Sequence, residues 1–194
     1  MVRVEAQNRS VQLALMITDP PLIKRIVLTG AESTGKSTLA KSLSEHYCAP
    51  WSKEFVREYI HTLGRDLIAK DVDTIARGQL AVEDAALDKA QKIVIHDTNI
   101  VSTIIYAEYY FGEALTWANS IVPKRGYSLY LLCSPDIPWV ADPRQRTSLN
   151  ARATLHTLFK TRIEKYGYPY LQISGSHPNR FNQAIQAIDS CSGT

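Results

Sequence analysis

One short segment constrains this chain more than any other feature, because it sets two glycines, a lysine and a serine at fixed spacing. It is GAESTGKS at positions 30–37, between an apolar run at 26–28 and a helical pattern at 37–47. Its glycines allow backbone N–H groups to converge on phosphate oxygens, and a helix start directs partial positive charge to the same place. The pattern G-x-x-x-x-G-K-S predicts a phosphate-binding loop; the alternative is a glycine-rich turn with an exposed lysine.

The residues of this loop have separate predicted roles in binding ATP. The Lys36 ammonium group is expected to neutralise the β- and γ-phosphates, which makes Lys36 a candidate catalytic residue. The Ser37 hydroxyl is expected to join the ligands of a Mg²⁺ ion. The predicted ATP-binding residues of the loop are Gly30, Ala31, Glu32, Ser33, Thr34, Gly35, Lys36, Ser37 and Thr38.

The rest of the chain predicts an α/β fold, because apolar runs of strand length alternate with helical patterns. Such alternation is typical of parallel sheets covered by helices on both faces. We therefore expect about five parallel strands, arranged as in P-loop NTPases and nucleoside kinases. The candidate strands lie at 26–28, around Trp51, and at 93–95, 129–132 and 170–173. The candidate helices lie at 37–47, 56–63, 71–90, 98–111, 149–166 and 179–190.

Length and composition limit the number of domains and the classes of function. A chain of 194 residues with 45% hydrophobic composition suits one domain, which contains the phosphate-binding loop and extends over 23–194, preceded by an N-terminal arm over 1–22. A net charge of +3 is too small for the uniformly basic surface that nonspecific nucleic-acid binding requires. No apolar run has the length of a membrane-spanning helix, and the three cysteines show no metal-binding spacing. We therefore expect a cytoplasmic protein that binds neither nucleic acid nor membranes.

A carboxylate follows the third predicted strand, at the edge where open α/β sheets bind their ligands. Asp97 at this position is expected either to hold Mg²⁺, if need be through water, or to accept the proton of an attacking hydroxyl. Its structural alternative is a helix cap. Glu58 is the second candidate for the catalytic base. The absence of D-x-x-G and N-K-x-D patterns from the sequence argues against a GTPase.

A second group of polar and aromatic residues predicts a binding site for the acceptor of the phosphoryl group. Glu54 and Arg57 follow the second predicted strand, so their charges are expected at the same edge of the sheet, where they suit a sugar hydroxyl or a phosphate. Trp51 or Tyr59 is suited to stack on a planar base. Gln79 shares the apolar face of the long helix, so it needs either substrate or a core group as its partner. The alternative for the charged segment is a solvated helix start.

Arginines after the fourth predicted strand indicate a lid over residues 136–146. Those of the loop and of the helix that follows it are Arg144, Arg146, Arg152 and Arg162. In small P-loop kinases a lid brings positive charge to the γ-phosphate and excludes water from the transfer site. We therefore expect Arg144 and Arg146 to act in catalysis, unless the loop is a solvated surface turn. Arg180, in the loop after the last strand, is a further candidate for contact with ATP.

These stretches together resemble the ribosylnicotinamide kinase domain of the bacterial NAD-biosynthesis regulator family. The resemblance extends over most of residues 24–190. It is carried by GAESTGKS at 30–37, EFVREY at 54–59, HDTN at 96–99, SPDIPWVADPRQR at 134–146 and the stretch at 175–181. The resemblance implies a P-loop kinase that uses ATP and Mg²⁺ to phosphorylate the 5′-hydroxyl of nicotinamide riboside, giving nicotinamide mononucleotide.

The resemblance also limits what is expected. The chain has no counterpart of the DNA-binding module or the adenylyltransferase domain of the full regulator, so neither activity is expected. The candidates for an aromatic residue that stacks on nicotinamide are Trp51, Tyr59 and Tyr106. Two alternatives remain: a kinase for another nucleoside or small metabolite, and an ATP-binding regulatory module that signals to a partner through residues 1–22.

Overall fold

Strands and helices alternate along the chain, as the hydrophobic pattern predicts. The computed structural model describes residues 22–138 and 149–191, which form five strands and seven α-helices. The strands are β1 (Lys24–Thr29), β2 (Trp51–Ser52), β3 (Ile93–Asp97), β4 (Leu129–Cys133) and β5 (Tyr170–Ile173). The helices are α1 (Lys36–Tyr47), α2 (Phe55–Leu63), α3 (Val72–Leu87), α4 (Ile100–Phe111), α5 (Thr116–Ile121), α6 (Leu149–Tyr166) and α7 (His177–Ser190). Short 3₁₀ turns occupy Ala69–Asp71 and Val122–Lys124.

All five strands pair in parallel, in the order β2-β3-β1-β4-β5. The central strand β1 pairs with β3 on one side and β4 on the other, so that Leu28 lies beside both Asp97 and Leu131. Parallel strands all end at the same edge of a sheet, so the loops after β1, β3 and β4 lie close together. The predicted five-stranded α/β fold is therefore confirmed, with the phosphate-binding loop and Asp97 at one edge.

Helices cover both faces of this sheet, which explains why its strands are almost continuously apolar. Successive residues of a strand point to opposite faces. Val27 accordingly lies in one core cluster, whereas Ile26 and Leu28 lie in the other. The first cluster joins the sheet to α3, α4 and α6, for example through Ile104. The second joins it to α1 and α7, for example through Leu39.

Two helices begin two residues away from their predicted starts. The helix predicted over 98–111 begins at Ile100, because Thr98 adopts a left-handed conformation with φ +66° directly after β3. The helix predicted over 179–190 begins at His177, because Pro178 is compatible with the first turn of a helix, where its missing N–H is not needed. The six-residue helix α5 was not predicted, being too short to show a clear period.

Two further expectations concern the N-terminal arm and membrane-spanning helices. Residues 1–21, nearly all of the predicted arm, lie outside the described residues. Over residues 22–138 and 149–191, no helix combines the length and the apolar character needed to cross a bilayer.

Candidate active site

The loop over residues 30–37 has the tight backbone that its two glycines predict. Gly30 adopts φ +127°, and a Cβ atom added there would lie 2.8 Å from the Cys133 carbonyl oxygen, so a side chain is excluded where the loop passes β4. Gly35, with φ +80°, is the N-cap of α1, and Ser33 also has a positive φ of 54°. Successive N–H groups in such left- and right-handed turns form a concave site for anions.

Lys36 is the first residue of α1, and its side chain is buried within the loop. Its ammonium group donates a hydrogen bond to the Ala31 carbonyl oxygen at 2.7 Å. Thr34 Oγ1 donates to the same oxygen at 2.8 Å, which closes the loop on itself. Only 6% of Lys36 is exposed, and a buried cation at the positive end of a helix is costly unless an anion offsets it. This corner of the structure is therefore suited to phosphate.

Asp97 lies across from the loop, and the structure brings it together with Ser37. The Ser37 hydroxyl hydrogen-bonds the Asp97 carboxylate. Asp97 Oδ1 is buried and has no hydrogen-bond partner among the described residues. Burial, with a contribution from the nearby Glu54, raises the pKa of Asp97 to about 6.

The Ser37 and Asp97 oxygens fit the requirements of a Mg²⁺ ion. Mg²⁺ prefers oxygen ligands, and in phosphate-binding sites it is held by one or two protein groups together with water and substrate phosphates. The unpartnered Asp97 Oδ1 is a ligand of this kind. Among the described residues no cluster of three or more His, Cys, Asp or Glu is arranged to hold a metal by itself. The site therefore suits an ion that is bound jointly with the phosphates of ATP.

A cavity of about 840 Å³ opens beside the phosphate-binding loop and the end of β3. Glu32 from the loop and Thr98 after β3 line its inner end, and residues of α2, α3 and α4 line its walls. Its volume lies within the range of sites that enclose whole small molecules. Four of the residues predicted to bind the acceptor line this cavity: Glu54, Arg57, Gln79 and Tyr106.

Gln79 of α3 anchors the wall formed by α2. The backbone N–H of Phe55 donates to Gln79 Oε1 at 3.1 Å, which positions Glu54, the N-cap residue of α2. Arg57 Nε donates to Glu54 Oε2 at 2.7 Å. Gln79 is 2% exposed, and its Nε2 has no hydrogen-bond partner within the described ranges. A core partner and a substrate partner are therefore compatible for Gln79. Its amide oxygen accepts a backbone hydrogen bond, while its amide nitrogen is a donor at the cavity wall.

Two residues predicted to bind the acceptor, Trp51 and Tyr59, and the predicted base Glu58 do not line the cavity. Trp51 packs against the core cluster on the opposite face of the sheet. The Tyr59 hydroxyl donates to Asp71 at 3.1 Å, and Glu58 is exposed. The periodicity of α2 explains this: residues 56, 57, 60 and 61 face the cavity, so the intervening side chains point elsewhere.

Arg180, predicted to contact ATP, supports the phosphate-binding loop from within the protein. Its buried guanidinium donates to the carbonyl oxygens of Thr34 in the loop at 3.1 Å and Gly175 after β5 at 2.7 Å. It also donates to the Ser134 carbonyl oxygen at 3.0 Å and pairs with Asp136. With its donors occupied in this way, Arg180 joins the loop to the ends of β4 and β5.

The predicted lid lies only partly within the described residues. Arg144 and Arg146 lie outside them, so their catalytic role stays a prediction. Arg152, in α6, is buried and donates to the Ser33 carbonyl oxygen of the phosphate-binding loop at 2.8 Å. Arg162 instead pairs with a glutamate of α4, so it belongs to the helix packing and not to the lid.

Sequence reasoning missed Ser102 and Tyr110, which lie beside the predicted Tyr106 on the α4 wall of the cavity. Ser102, Tyr106 and Tyr110 recur at every fourth position, which places them on one face of the helix, and all three line the cavity. The Tyr106 and Tyr110 rings stack, with centroids 5.9 Å apart and an interplanar angle of 13°. Glu32, predicted to bind ATP, also faces this wall, and the Tyr110 hydroxyl donates to its Oε1 at 3.3 Å. The four-residue spacing of Ser102, Tyr106 and Tyr110, shortly after Asp97, was the sequence signal available for this wall.

Comparison with protein families agrees with this arrangement. A family model described as an AAA domain matches residues 25–180, a range that contains the phosphate-binding loop, Asp97 and all the walls of the cavity. The chain belongs to this AAA domain family.

Two curated relatives are NAD biosynthesis proteins. The chain is 27% identical over 180 residues to the trifunctional NAD biosynthesis/regulator protein NadR of Escherichia coli K12. It is 26% identical over 180 residues to the protein of the same name from Salmonella typhimurium. Each match covers 90% of this chain but 44% of the relative, so the chain spans less than half the length of these proteins. The resemblance to the NAD-biosynthesis regulator family that the motifs indicate is confirmed.

Solved structures share the fold. A NadR protein in complex with NR superposes with a TM-score of 0.75 at 24% identity, covering 89% of this chain and 52% of that chain. Deoxyadenosine kinase from M. mycoides with bound dATP gives a TM-score of 0.61 at 15% identity, covering 86% of this chain and 100% of the kinase. Thymidylate kinase from Ehrlichia chaffeensis gives 0.58 at 17% identity, covering 87% and 100%. The predicted P-loop, nucleoside-kinase-like fold is therefore confirmed.

Proposed function

We propose that this protein transfers the γ-phosphoryl group of ATP to the 5′-hydroxyl of nicotinamide riboside, giving nicotinamide mononucleotide and ADP. The observation that carries this proposal is a nucleoside-sized cavity directly beside the phosphate-binding loop and Asp97. A kinase needs two adjoining sites, because it must hold donor and acceptor in line for transfer. Similarity to NadR, one structure of which contains NR, supports nicotinamide riboside as the acceptor.

The residues around the loop have distinct roles in this proposal. The loop N–H groups and Lys36 bind the phosphates and offset the negative charge of the transition state. A Mg²⁺ ion, when bound by Ser37 and Asp97 with the phosphates, would supply further positive charge to the phosphate oxygens. Arg144 and Arg146 are proposed to bring additional charge from the segment after β4.

The transfer requires a group that takes the acceptor's proton. The 5′-oxygen forms a bond to the γ-phosphorus while the bond from phosphorus to the leaving oxygen of ADP breaks, and the hydroxyl proton passes to a carboxylate. Glu54 lines the cavity and Asp97 lies next to it, so these two are the candidates for the base. Glu58, the other sequence-based candidate, is exposed and does not line the cavity, so we propose Glu54 in its place. A carboxylate with a pKa of about 6, as for Asp97, is well suited to proton exchange near neutral pH.

A substrate panel tests the proposal. Purified protein is incubated with ATP, Mg²⁺ and, in separate reactions, nicotinamide riboside, uridine, cytidine, adenosine and thymidine. We expect the highest kcat/KM for nicotinamide riboside, with a product heavier by one phosphoryl group in mass spectrometry. Faster turnover of an ordinary nucleoside would overturn the acceptor assignment and leave a nucleoside kinase. ATP hydrolysis that responds to no acceptor would contradict the kinase and favour an ATP-binding regulatory module.

A further inference from the structure

Glu32 is a carboxylate within a loop whose ligand is itself strongly negative. It is the third residue of the phosphate-binding loop, only four positions before Lys36. The Glu32 carboxylate and a bound phosphate carry like charges and repel each other, and the repulsion is larger in a partly buried site than in water. A glutamate here therefore weakens phosphate binding, unless its charge is offset by a group outside the phosphate site.

The Glu32 side chain is directed to the acceptor cavity, where it forms part of the lining. Its Oε1 accepts a hydrogen bond from the Tyr110 hydroxyl at 3.3 Å. Its Oε2 is buried and lacks a hydrogen-bond partner among the described residues. A buried carboxylate oxygen without a partner is costly in free energy, so this atom is expected to receive one from the ligand.

The arginines of the cavity already pair with other carboxylates. Arg57 pairs with Glu54 at 2.7 Å. Arg65 holds Asp71 with two hydrogen bonds, at 2.7 and 2.8 Å. Within residues 22–138 and 149–191, Glu32 takes part in no ion pair. The inner end of the cavity therefore contains a carboxylate that no ion pair among the described residues neutralises.

The side chains that line the cavity together with Glu32 suit a flat ring that carries a positive charge. The stacked rings of Tyr106 and Tyr110 lie on the same wall, and tyrosine rings attract cations at their faces. The buried Gln79 Nε2 is a donor for a carbonyl or hydroxyl oxygen. We infer that Glu32 is a specificity-determining residue, which favours nucleosides with a cationic ring over neutral nucleosides of the same shape. This inference rests on the proposed function and specifies the charge of its acceptor.

The sharpest test compares two acceptors that differ in charge and little in shape. Nicotinamide riboside carries a pyridinium cation, and its dihydro form is neutral. For Glu32→Gln we expect kcat/KM to fall about 10-fold or more with the cation and less than about 2-fold with the neutral form. The KM for ATP should stay equal or decrease, because a repulsive charge is removed. Glu113→Gln, a change at an exposed glutamate outside the cavity, is the control and should match the wild type.

The other possible results of the Glu32→Gln experiment decide against the inference or against the proposed function. Equal losses with both acceptors, or a higher KM for ATP in Glu32→Gln, would overturn the inference, because Glu32 would then serve the phosphate site or the transfer step in general. Glutamine can still accept the hydrogen bond from Tyr110, and an unchanged thermal melting curve confirms that the variant is folded. A wild-type protein that phosphorylates neither acceptor contradicts the proposed function and the inference together, whereas a wild type that phosphorylates both equally well overturns the inference alone.

Discussion

At the scale of the residue, Lys36 is a buried cation whose ammonium group, among the described residues, donates to the backbone of its own loop. We expect Lys36→Ala to lower kcat at least about 10²-fold, because the ammonium group serves the phosphates of the transition state and not the core. The unfolding midpoint should change little. Lys41→Ala removes an exposed lysine of the same helix that pairs with Glu45, and it is the matched control. Equal activity of Lys36→Ala and wild type in steady-state kinetics would contradict the loop assignment.

The ionised Asp97 carboxylate lowers the stability of the fold, although it lies in the candidate active site. Its pKa of about 6 in the fold lies above its usual value of 3.8, so its contribution to the free energy of unfolding decreases as pH rises from about 4 to about 6. Asp97→Asn abolishes that ionisation, so we expect the variant to be more stable than wild type by about 3 kcal/mol at pH about 7.5, with little difference at pH about 4. Urea denaturation at both pH values measures the two differences. A variant that is less stable than wild type at the higher pH would contradict this account.

At the scale of the element, α3 organises the cavity through two residues one helical turn apart. Gln79 accepts the N–H of Phe55 at the start of α2, and Glu83 Oε1 accepts the N–H of Ile100 at the start of α4 at 2.7 Å. The first N–H groups of a helix have no partner within the helix, so α3 supplies caps to both of its neighbours. The positions of Glu54 and of the tyrosine wall therefore depend on the same helix.

The stability of this arrangement depends on the buried charge of Glu83. Its Oε2 accepts from Tyr127 at 2.6 Å, Arg125 at 3.1 Å and Arg25 at 3.4 Å. Glu83→Gln leaves these arginines without their buried counter-charge, so we expect the free energy of unfolding to fall by about 3 kcal/mol, measured by urea denaturation. Glu113→Gln should change it by less than about 0.5 kcal/mol. If both variants unfold alike, the network contributes nothing to the stability of the fold.

At the scale of the whole molecule, the site exists because β1 and β3 are neighbours in the sheet. Leu28 and Asp97 are register partners although they are distant in sequence, so the phosphate-binding loop and the Asp97 carboxylate meet at the carboxyl edge of the strands. The same fold occurs in the deoxyadenosine and thymidylate kinases with which the chain superposes. Fold alone therefore does not specify the acceptor, and the choice depends on the side chains that line the cavity.

The sequence by itself determined the features that depend on neighbours along the chain. The phosphate-binding loop, the parallel strands and the position of Asp97 were all predicted, because loop spacing, hydrophobic period and strand ends are local properties. Only the tertiary structure decided which of the candidate side chains line the cavity. Which of Glu54 and Glu58 faces it, and the hydrogen bond from Arg180 to the Thr34 carbonyl oxygen, depend on partners contributed by remote segments. Such partners are chosen by packing and by the need to satisfy buried polar groups, and neither is visible in a local pattern.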